Sequence, residues 1–495
     1  MFVALLVAPA ARAQDAVFPT VETREVLNTA YAAILERHLE SVAPRDLALW
    51  SLRGLGAVDP TLGAEIRGGM LRLTGTPPPP PSRGLPGTTG PPAAPATAEA
   101  VAALMEAAWR ASPALRRLSP ERMLQAAFDE VFDRLDPYSR YVSVSEGRAA
   151  RERRTGQSGL GLRLGAGARG GAVVVVALSP GGPAALGGLR LGERVLAVDG
   201  TAVNALDLPA AAALLEGPSN APVALTVLRG GRRREVVLLR NAAPPPTVQA
   251  ERRDDILWLR ISGFSNTTDG LILGSLEEAF RTDPPLGVVL DLRGNRGGVL
   301  TQAIGVVDIF LAGGEIIRTT GRHRESGRTY VAGGPDITGG RPVVVLVDGR
   351  SASAAEIVAA SLSDRGRAVL VGSATQGKGL VQLLVPLPNG AEILLSWSRL
   401  VAPLGWPLQD VGVLPHICTS LGAEQAGAAL VRLQRGEAPA RPALERMRAM
   451  RVPPNPDAVA ELRATCPPAE GRDADLAVAR ALIENPEAWR LSLAR

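Results

Sequence analysis

Residues 341–364 read R-P-V-V-V-L-V-D-G-R-S-A-S-A-A-E-I-V-A-A-S-L-S-D, and they give the clearest indication of the fold class. Its apolar, β-branched run predicts a buried strand, which leads directly into a segment with the small first residues and apolar spacing of a helix. Similar strands are predicted at 286–293, L-G-V-V-L-D-L-R, and at 367–372, R-A-V-L-V-G. Because strands alternate with helical segments, residues 242–420 are predicted to form an α/β domain.

The last of these strands leads into G-S-A-T-Q-G-K-G-L-V-Q at 372–382. This loop contains Lys378, the only lysine in a protein with 54 lysine and arginine residues. A buried amine can lose its proton and act as a base, whereas a guanidinium cannot. Gly372, Gly377 and Lys378 also have the spacing of a phosphate-binding loop. That interpretation fails because Gly379 replaces the magnesium-binding Ser or Thr and a strand-like segment replaces the required helix.

The predicted helix start within residues 341–364 contains serines that could act as a nucleophile, with Lys378 as the base. Ser351 or Ser353 would lie at the positive end of the helix, where backbone N–H groups stabilise negative charge. Acyl transfer needs a nucleophile, a base and N–H donors of this kind. Serine at a helix start is more commonly an N-cap, so the residues alone leave the role of both serines open. No motif supports a triad based on one of the three histidines, which are His38, His323 and His416.

Composition restricts the class of protein. The sequence of 495 residues is 46% hydrophobic and 21% charged, so it can bury large cores in several domains. Its net charge of +5 comes from scattered arginines, and only 3% of its residues are aromatic, which argues against nucleic-acid binding. Residues 1–13 end in A-R-A, as signal peptides do, and the polar, charged sequence after Gln14 favours a signal peptide over the alternative, an ordinary buried N-terminal helix. No stretch has the roughly 20 apolar residues of a membrane span. We therefore expect an exported, periplasmic protein, in which Cys418 and Cys466 could pair.

Changes in sequence pattern divide the remaining residues. Residues 14–74 are predicted to be helical, residues 75–97 form a proline- and glycine-rich linker, and residues 98–155 are helical again. Residues 156–241 contain short strands separated by glycine turns, together with one helix. A helical tail is expected over residues 421–495.

Residues 156–241 resemble a PDZ domain, mainly in the segment S-P-G-G-P-A-A-L-G-G-L-R-L-G-E-R-V-L-A-V-D-G-T-A-V. The resemblance implies that an exposed strand edge takes up the C-terminus of another protein by β-augmentation. The loop beside that edge corresponds to Gly159, Leu160, Gly161 and Leu162. The alternative is a small β-rich packing domain.

Three motifs together resemble the carboxy-terminal processing (tail-specific) protease family of serine/lysine peptidases. They are D-L-R-G-N-R-G-G-V-L at 291–300, S-A-S-A-A-E-I at 351–357 and G-K-G-L-V-Q at 377–382, in that family's order and comparable spacing. The resemblance covers roughly residues 135–417. It implies a multidomain α/β protein with a helical N-terminal region, a PDZ-like β-rich domain and a crotonase- or ClpP-like peptidase core.

Carried over to this sequence, the resemblance makes Ser353 the nucleophile and Lys378 the general base. Gln382 corresponds to the glutamine that positions the lysine, and the N–H groups of Gly298 and Ala354 correspond to the oxyanion donors. The implied mechanism uses no metal and no cofactor. The implied function is a serine endopeptidase that recognises apolar C-terminal tails of proteins through its PDZ domain. The alternative is a catalytically inactive PDZ-containing scaffold protein.

Overall fold

The computed structural model describes residues 17–75, 82–87, 90–147, 160–167, 172–178, 182–205, 208–215, 221–240 and 247–493. The predicted signal peptide, residues 1–13, and Gly159 of the predicted peptide-binding loop lie outside these ranges. The protein divides into two compact units. The first unit takes the residues up to Gly147 together with Gln382–Trp397, and the second takes the remainder.

The first unit consists mainly of helices around one apolar core. Its helices are α1 (Thr20–Arg37), α2 (Pro44–Arg53), α3 (Ala94–Ala111), α4 (Pro113–Arg116) and α5 (Pro120–Asp133). Ser112 and Ser119 cap the starts of α4 and α5, because each side-chain oxygen accepts a hydrogen bond from a backbone N–H of the first turn. Inside the core, the hydroxyl of Tyr31 in α1 hydrogen-bonds to that of Ser51 in α2 (2.5 Å). The Tyr31–Ser51 hydrogen bond joins α1 to α2.

A β-hairpin replaces the end of the predicted N-terminal helical region. β1 (Gly63–Arg67) and β2 (Met70–Thr74) pair antiparallel, and β3 (Arg83–Gly84) pairs with β2. Gly68 and Gly69, which both have positive φ, form the two-residue turn. Such a turn matches the twist of paired strands, so two glycines between short apolar runs favour a hairpin over a helix.

The proline-rich segment becomes helical earlier than the sequence pattern predicts. The predicted linker runs to Thr97, but α3 begins at Ala94 and buries both Ala94 and Thr97. Pro95 lies in the first turn, where the missing N–H of proline has no helical partner to lose. The alanines that follow favour a helix strongly. Proline therefore does not prevent a helix here, because it stands at the start.

Residues 382–397 pack with the first unit, although the sequence analysis places them in the peptidase core. β4 (Arg140–Val142) pairs antiparallel with residues 392–394. The carboxylate of Asp136 accepts a hydrogen bond from the hydroxyl of Ser396 (2.7 Å). Four apolar side chains of this segment are buried in the core of the first unit: Leu387, Ala391, Ile393 and Leu395. The core predicted over residues 242–420 is therefore interrupted.

The PDZ-like part of the second unit is a sheet with two short helices. Its strands are β5 (Leu162–Ala166), β6 (Val173–Leu178), β7 (Arg194–Val198), β8 (Thr201–Ala202), β9 (Pro222–Arg229) and β10 (Arg232–Leu239). The sheet order is β10-β9-β7-β6-β5, with β8 paired to β7. The helices are α6 (Pro183–Leu186) and α7 (Leu208–Leu215), and Leu215 joins the buried cluster of the sheet. This order leaves β5 at one edge of the sheet.

The remainder of the second unit contains the predicted α/β core. Its main sheet consists of β11 (Val248–Arg253), β12 (Ile256–Ile261), β13 (Gly287–Asp291), β16 (Val343–Val347), β17 (Val369–Gly372) and β20 (Ile417–Cys418), in that order. Adjacent strands are parallel throughout this sheet except for the pair β11–β12, which is antiparallel. The helices between the strands are α8 (Thr268–Thr282), α9 (Leu300–Phe310) and α10 (Ala354–Asp364). β14 (Gly314–Thr320) pairs with β15 (Arg328–Ala332) and with residues 399–401 of β19 (Glu392–Val401).

The main sheet is covered on both faces, which explains the continuous apolar runs of its central strands. In β13, Val288 and Leu290 join one buried cluster, and Val289 joins another. The second cluster contains side chains of the C-terminal helices α11 (Ala423–Gln434), α14 (Asp473–Glu484) and α15 (Pro486–Leu493). Two further helices, α12 (Arg441–Ala449) and α13 (Pro456–Ala464), contribute to the first cluster. The C-terminal region is thus part of the core.

Cys418 and Cys466 form a disulfide, so the pairing that the sequence left open is present. It joins β20 to the segment after α13. Within the described ranges, no helix is long and apolar enough to cross a membrane.

Candidate active site

Ser353 lies in a sharp turn between β16 and α10. Its backbone has φ 56° and ψ −113°, a positive-φ conformation that residues other than glycine rarely adopt. Strain of this kind persists where neighbouring contacts hold it, and one class of serine hydrolases exposes its nucleophile on a strained strand-to-helix turn. Ser353 is half-buried at the N-terminus of α10, where the helix dipole favours negative charge.

Ser351, two residues earlier, has a structural role. It is fully buried, and its hydroxyl donates to the carbonyl of Leu292 (2.8 Å) and accepts from the N–H of Asp348 (3.0 Å). A buried hydroxyl that is engaged on both sides by backbone groups is unavailable for attack on a substrate. The geometry therefore favours Ser353 over Ser351 as the candidate nucleophile.

The glycine loop after β13 approaches the Ser353 turn closely. A Cβ atom on Gly297 would lie 2.9 Å from the Cβ of Ser353, and one on Gly298 would lie 2.2 Å from the carbonyl oxygen of Phe264. Both glycines have positive φ as well. A side chain on Gly297 would therefore push the loop away from the serine turn, and one on Gly298 would push it away from Phe264.

Asn295 fixes this loop, and the sequence analysis did not identify it. Its side-chain amide donates to the carbonyl of Ile261 (2.9 Å) and accepts from the N–H of Gly297 (2.8 Å). Its backbone carbonyl accepts from the N–H of Ala352 (2.9 Å). One buried residue thus connects β12, the glycine loop and the serine turn.

The backbone N–H groups of Gly298 and Ala354 have no acceptor among the residues that the structure describes. Ala354 is the first residue of α10, so its N–H has no partner within the helix. Two unengaged donors on the segments that flank a serine are what a developing oxyanion requires. The family resemblance implies the same two donors, and their role in catalysis stays a prediction.

Lys378 lies half-buried in the loop between β17 and β18 (Leu380–Pro386). A Cβ atom on Gly372, at the end of β17, would lie 1.8 Å from the carbonyl oxygen of Val347. Because glycine has no Cβ, the start of the loop can lie directly against β16. A phosphate-binding loop would be followed by a helix, whereas Lys378 is followed by the strand β18. The structure therefore agrees with the prediction that this is not a phosphate-binding loop.

Glu356 connects the serine turn to the lysine loop. Its fully buried carboxylate accepts hydrogen bonds from the backbone N–H groups of Ser353 (2.8 Å), Gly377 (2.6 Å) and Lys378 (2.8 Å), and from the hydroxyl of Thr375. Burial raises the pKa of Glu356, and the four donors oppose that shift. Glu356 was not among the site residues predicted from the sequence. A signal was present, because a glutamate three residues after a helix-capping serine is typical of a capping box.

The C-terminal region braces the lysine loop. The guanidinium of Arg463 in α13 donates to the carbonyls of Thr375 (2.8 Å) and Val411 (2.9 Å), and its charge interacts with the carboxylate of Glu356. The N–H of Ala374 donates to the carbonyl of Cys466 (3.4 Å). The disulfide-bonded segment therefore helps to hold the loop that carries Lys378.

Glu356→Gln is expected to lower kcat/KM about 100-fold, because a glutamine NH₂ group would face N–H donors and the serine turn and lysine loop would shift apart. The free energy of unfolding should also fall by about 1–3 kcal/mol. Kinetics with a peptide substrate and thermal unfolding measure the two effects. Glu278→Gln, at an exposed position in α8, is the matched control. An unchanged kcat/KM in the Glu356→Gln variant would show that Glu356 is not needed to connect the serine turn with the lysine loop.

Gln382 lies on β18 and belongs to the first unit, whereas Ser353 and Lys378 belong to the second. Its proposed contact with Lys378 therefore stays a prediction.

Three of the four predicted peptide-binding residues are described, and they lie at the start of β5. Leu160 is buried, Gly161 has φ 66°, and Leu162 is the first residue of the strand. Among the strands that the structure describes, β5 forms the edge of its sheet, and it contacts α7, so a strand edge with no described partner lies beside a helix. An edge of this kind presents the unpaired backbone groups that β-augmentation requires.

Comparisons with known proteins add independent evidence. Residues 255–419 match peptidase family S41, and residues 174–229 match the PDZ domain. The sequence is 32% identical over 302 residues to a carboxy-terminal-processing protease of Bartonella bacilliformis, covering 60% of this protein and 69% of the relative. It is 32% identical over 298 residues to a carboxyl-terminal-processing protease of Synechocystis sp., covering 58% and 69%. A solved structure of a photosystem II D1 C-terminal processing protease is similar at 27% identity and a TM-score of 0.38, covering 63% of this protein and 85% of that one.

These findings confirm the predicted multidomain α/β architecture with a PDZ domain and a peptidase core. They confirm the resemblance drawn from the three sequence motifs as well. The protein belongs to the carboxy-terminal-processing protease family, in peptidase family S41, and is a serine protease.

Proposed function

We propose that this protein cleaves peptide bonds with Ser353 as nucleophile and Lys378 as general base. One observation carries the proposal. The carboxylate of Glu356 accepts hydrogen bonds from the backbone N–H groups of both residues, so the two segments are held by a single buried group. The unengaged N–H groups of Gly298 and Ala354 flank the same serine and support the same assignment.

In the proposed reaction, the hydroxyl oxygen of Ser353 attacks the scissile carbonyl carbon while neutral Lys378 accepts the hydroxyl proton. The resulting oxyanion accepts hydrogen bonds from Gly298 and Ala354. Lys378 then gives its proton to the leaving amine, the C–N bond breaks and an acyl-enzyme remains. A water molecule then attacks the ester carbonyl carbon while Lys378 accepts its proton. The bond from that carbon to Oγ of Ser353 breaks, and Lys378 returns the proton to Oγ, which releases the acid product and restores the serine. Gln382 orients the amine of Lys378 in this scheme.

The proposed substrate is a protein with an apolar C-terminal tail. The tail would pair with the open edge of β5, and backbone N–H groups near Leu160 and Gly161 would bind its carboxylate. Binding of the tail by the PDZ domain would hold the substrate close to the peptidase core and raise its effective concentration there.

Amidation of the tail is expected to slow cleavage about tenfold or more, because the amide lacks the charge that backbone N–H donors favour. The measurement compares kcat/KM for one unfolded test protein with an apolar tail, prepared as the free acid and as the C-terminal amide. A version with a polar, charged tail controls for cleavage without tail recognition. Equal rates for acid and amide would exclude tail recognition, whereas no cleavage of any version would exclude the peptidase itself.

We also infer that the protein is exported to the periplasm. The disulfide between Cys418 and Cys466 supports this location, because disulfides persist in oxidising compartments. Cell fractionation with thiol labelling checks it. Cytoplasmic protein with two labelled thiols would contradict it.

A further inference from the structure

A cavity of about 300 Å³ lies in the second unit, lined by residues of the core and of the C-terminal helices. Its lining includes neither Ser353 nor Lys378, so it is separate from the candidate active site. Leucine side chains provide much of its apolar surface: Leu404, Leu433, Leu444 and Leu493. His416 and Arg448 are among the polar residues that also line it, together with Arg441, Glu445 and Ser492.

His416 supplies a hydrogen-bond donor. The residue is 6% exposed, and its Nδ1 accepts from the N–H of Leu370 (2.9 Å), so the proton of the neutral ring is on Nε2. Burial and the positive charge of Arg448 lower the pKa of His416 to about 3, which keeps the ring neutral at ordinary pH. Within the described ranges, no group forms a hydrogen bond with Nε2.

Arg448 supplies a second donor and a positive charge. Its Nε donates to the carboxylate of Asp364 (3.1 Å), and its Nη2 lies 3.4 Å from the carbonyl and the hydroxyl oxygens of Ser363. Its Nη1 has no hydrogen-bond partner among the residues that the structure describes. The guanidinium of Arg441 also lines the cavity, whereas the acidic residue of the lining, Glu445, is exposed to solvent.

We propose that this cavity binds a carboxylate attached to an aliphatic tail. The carboxylate oxygens accept hydrogen bonds from Nε2 of His416 and from Arg448, and the aliphatic tail packs against the leucines. Both donors need an acceptor once water is excluded, and a charged acceptor forms the stronger bonds. At about 30 Å³ for each water-sized group, the cavity has room for a molecule of about ten non-hydrogen atoms. Either a free fatty acid or the apolar C-terminal residue of a peptide carries this chemistry.

Ligand-observed NMR titration of the full-length protein with hexanoate tests the proposal, with the isosteric neutral hexanamide as the control ligand. Hexanoate is expected to bind with a Kd on the order of 1 mM and at least tenfold more tightly than hexanamide. N-formylleucine distinguishes the sources: tighter binding than hexanoate assigns the cavity to a peptide C-terminus, and weaker binding assigns it to a free acid. Equal affinity for hexanoate and hexanamide would overturn the proposal.

His416→Asn tests the site itself, because the asparagine oxygen can still accept from the N–H of Leu370 while the Nε2 donor is lost. Hexanoate binding should weaken at least tenfold. His323→Asn is the matched control, since its Nδ1 likewise accepts from a backbone N–H, that of Glu325 (3.3 Å), outside the cavity. Thermal unfolding shows whether each variant folds. If His416→Asn does not fold, Ala440→Leu, which fills the cavity, should abolish binding. If the folded variant, His416→Asn or in its place Ala440→Leu, binds hexanoate as tightly as the parent protein does, the proposal is overturned.

Discussion

Lys378→Arg is expected to abolish peptide hydrolysis while the protein still folds and binds C-terminal tails. Every other lysine-or-arginine position in the sequence is an arginine, so a purely structural cation at this position should tolerate the substitution. A general base must instead spend time neutral, which an amine can do when it leaves water and a guanidinium cannot. Loss of a general base typically costs 10²- to 10⁴-fold, so a fall of about that size is expected.

The measurement follows kcat for an unfolded test protein across a range of pH. Activity of the parent protein should rise with pH as the amine of Lys378 loses its proton, and the Lys378→Arg variant should stay inactive throughout. Arg281→Lys, at an exposed position in α8, controls for exchange of the two cations. A Lys378→Arg protein that folds and cleaves at nearly the parent rate would end the serine/lysine hypothesis.

Ser353→Ala is expected to give the largest loss, about 10⁶-fold in kcat, because no acyl-enzyme can form without the hydroxyl. The alanine keeps the Cβ atom that lies against Gly297, so the turn should hold its conformation. The N–H groups of Gly298 and Ala354 remain in place and account for any residual rate. Trapping of the acyl-enzyme by mass spectrometry should succeed with the parent and fail with this variant.

Ser351→Ala provides the contrasting result. It removes a buried hydroxyl that bonds to Leu292 and Asp348, so it should lower the free energy of unfolding by about 1–3 kcal/mol. Acyl-enzyme should still form in the fraction that folds. Ser275→Ala, on the exposed side of α8, should change neither quantity. If Ser351→Ala abolished the acyl-enzyme and Ser353→Ala did not, the two roles would be reversed.

The sequence predicts the parts of the candidate site that depend on local pattern. The strand at 343–347 and the helix that follows Ser353 are recognisable because a β-branched run changes abruptly to helical spacing. The loop with Lys378 stands out because a lone lysine follows a strand. These features are encoded within a few neighbouring residues, so no knowledge of packing is needed to find them.

The contacts that assemble the site depend on residues far apart in the sequence. Glu356 meets the N–H of Lys378 across 22 positions, and Arg463 reaches the carbonyl of Thr375 across 88. Side-chain hydrogen bonds at such separations have no periodic signature in the sequence. The hairpin around Gly68 is a different case, because its two adjacent glycines are a local signal for a turn. The prediction of helix over residues 14–74 did not take that signal into account.

The placement of residues 382–397 in the first unit affects the order in which the protein can fold. A nascent polypeptide that ends at Gly147 has its N-terminal helices but lacks Leu387, Ala391, Ile393 and Leu395, which complete their core. β4 likewise has no partner strand until residues 392–394 are made. The PDZ-like sequence and much of the peptidase sequence must therefore be synthesised before the earliest part of the protein can finish folding. During that interval its incomplete apolar surface is open to chaperones, or to aggregation.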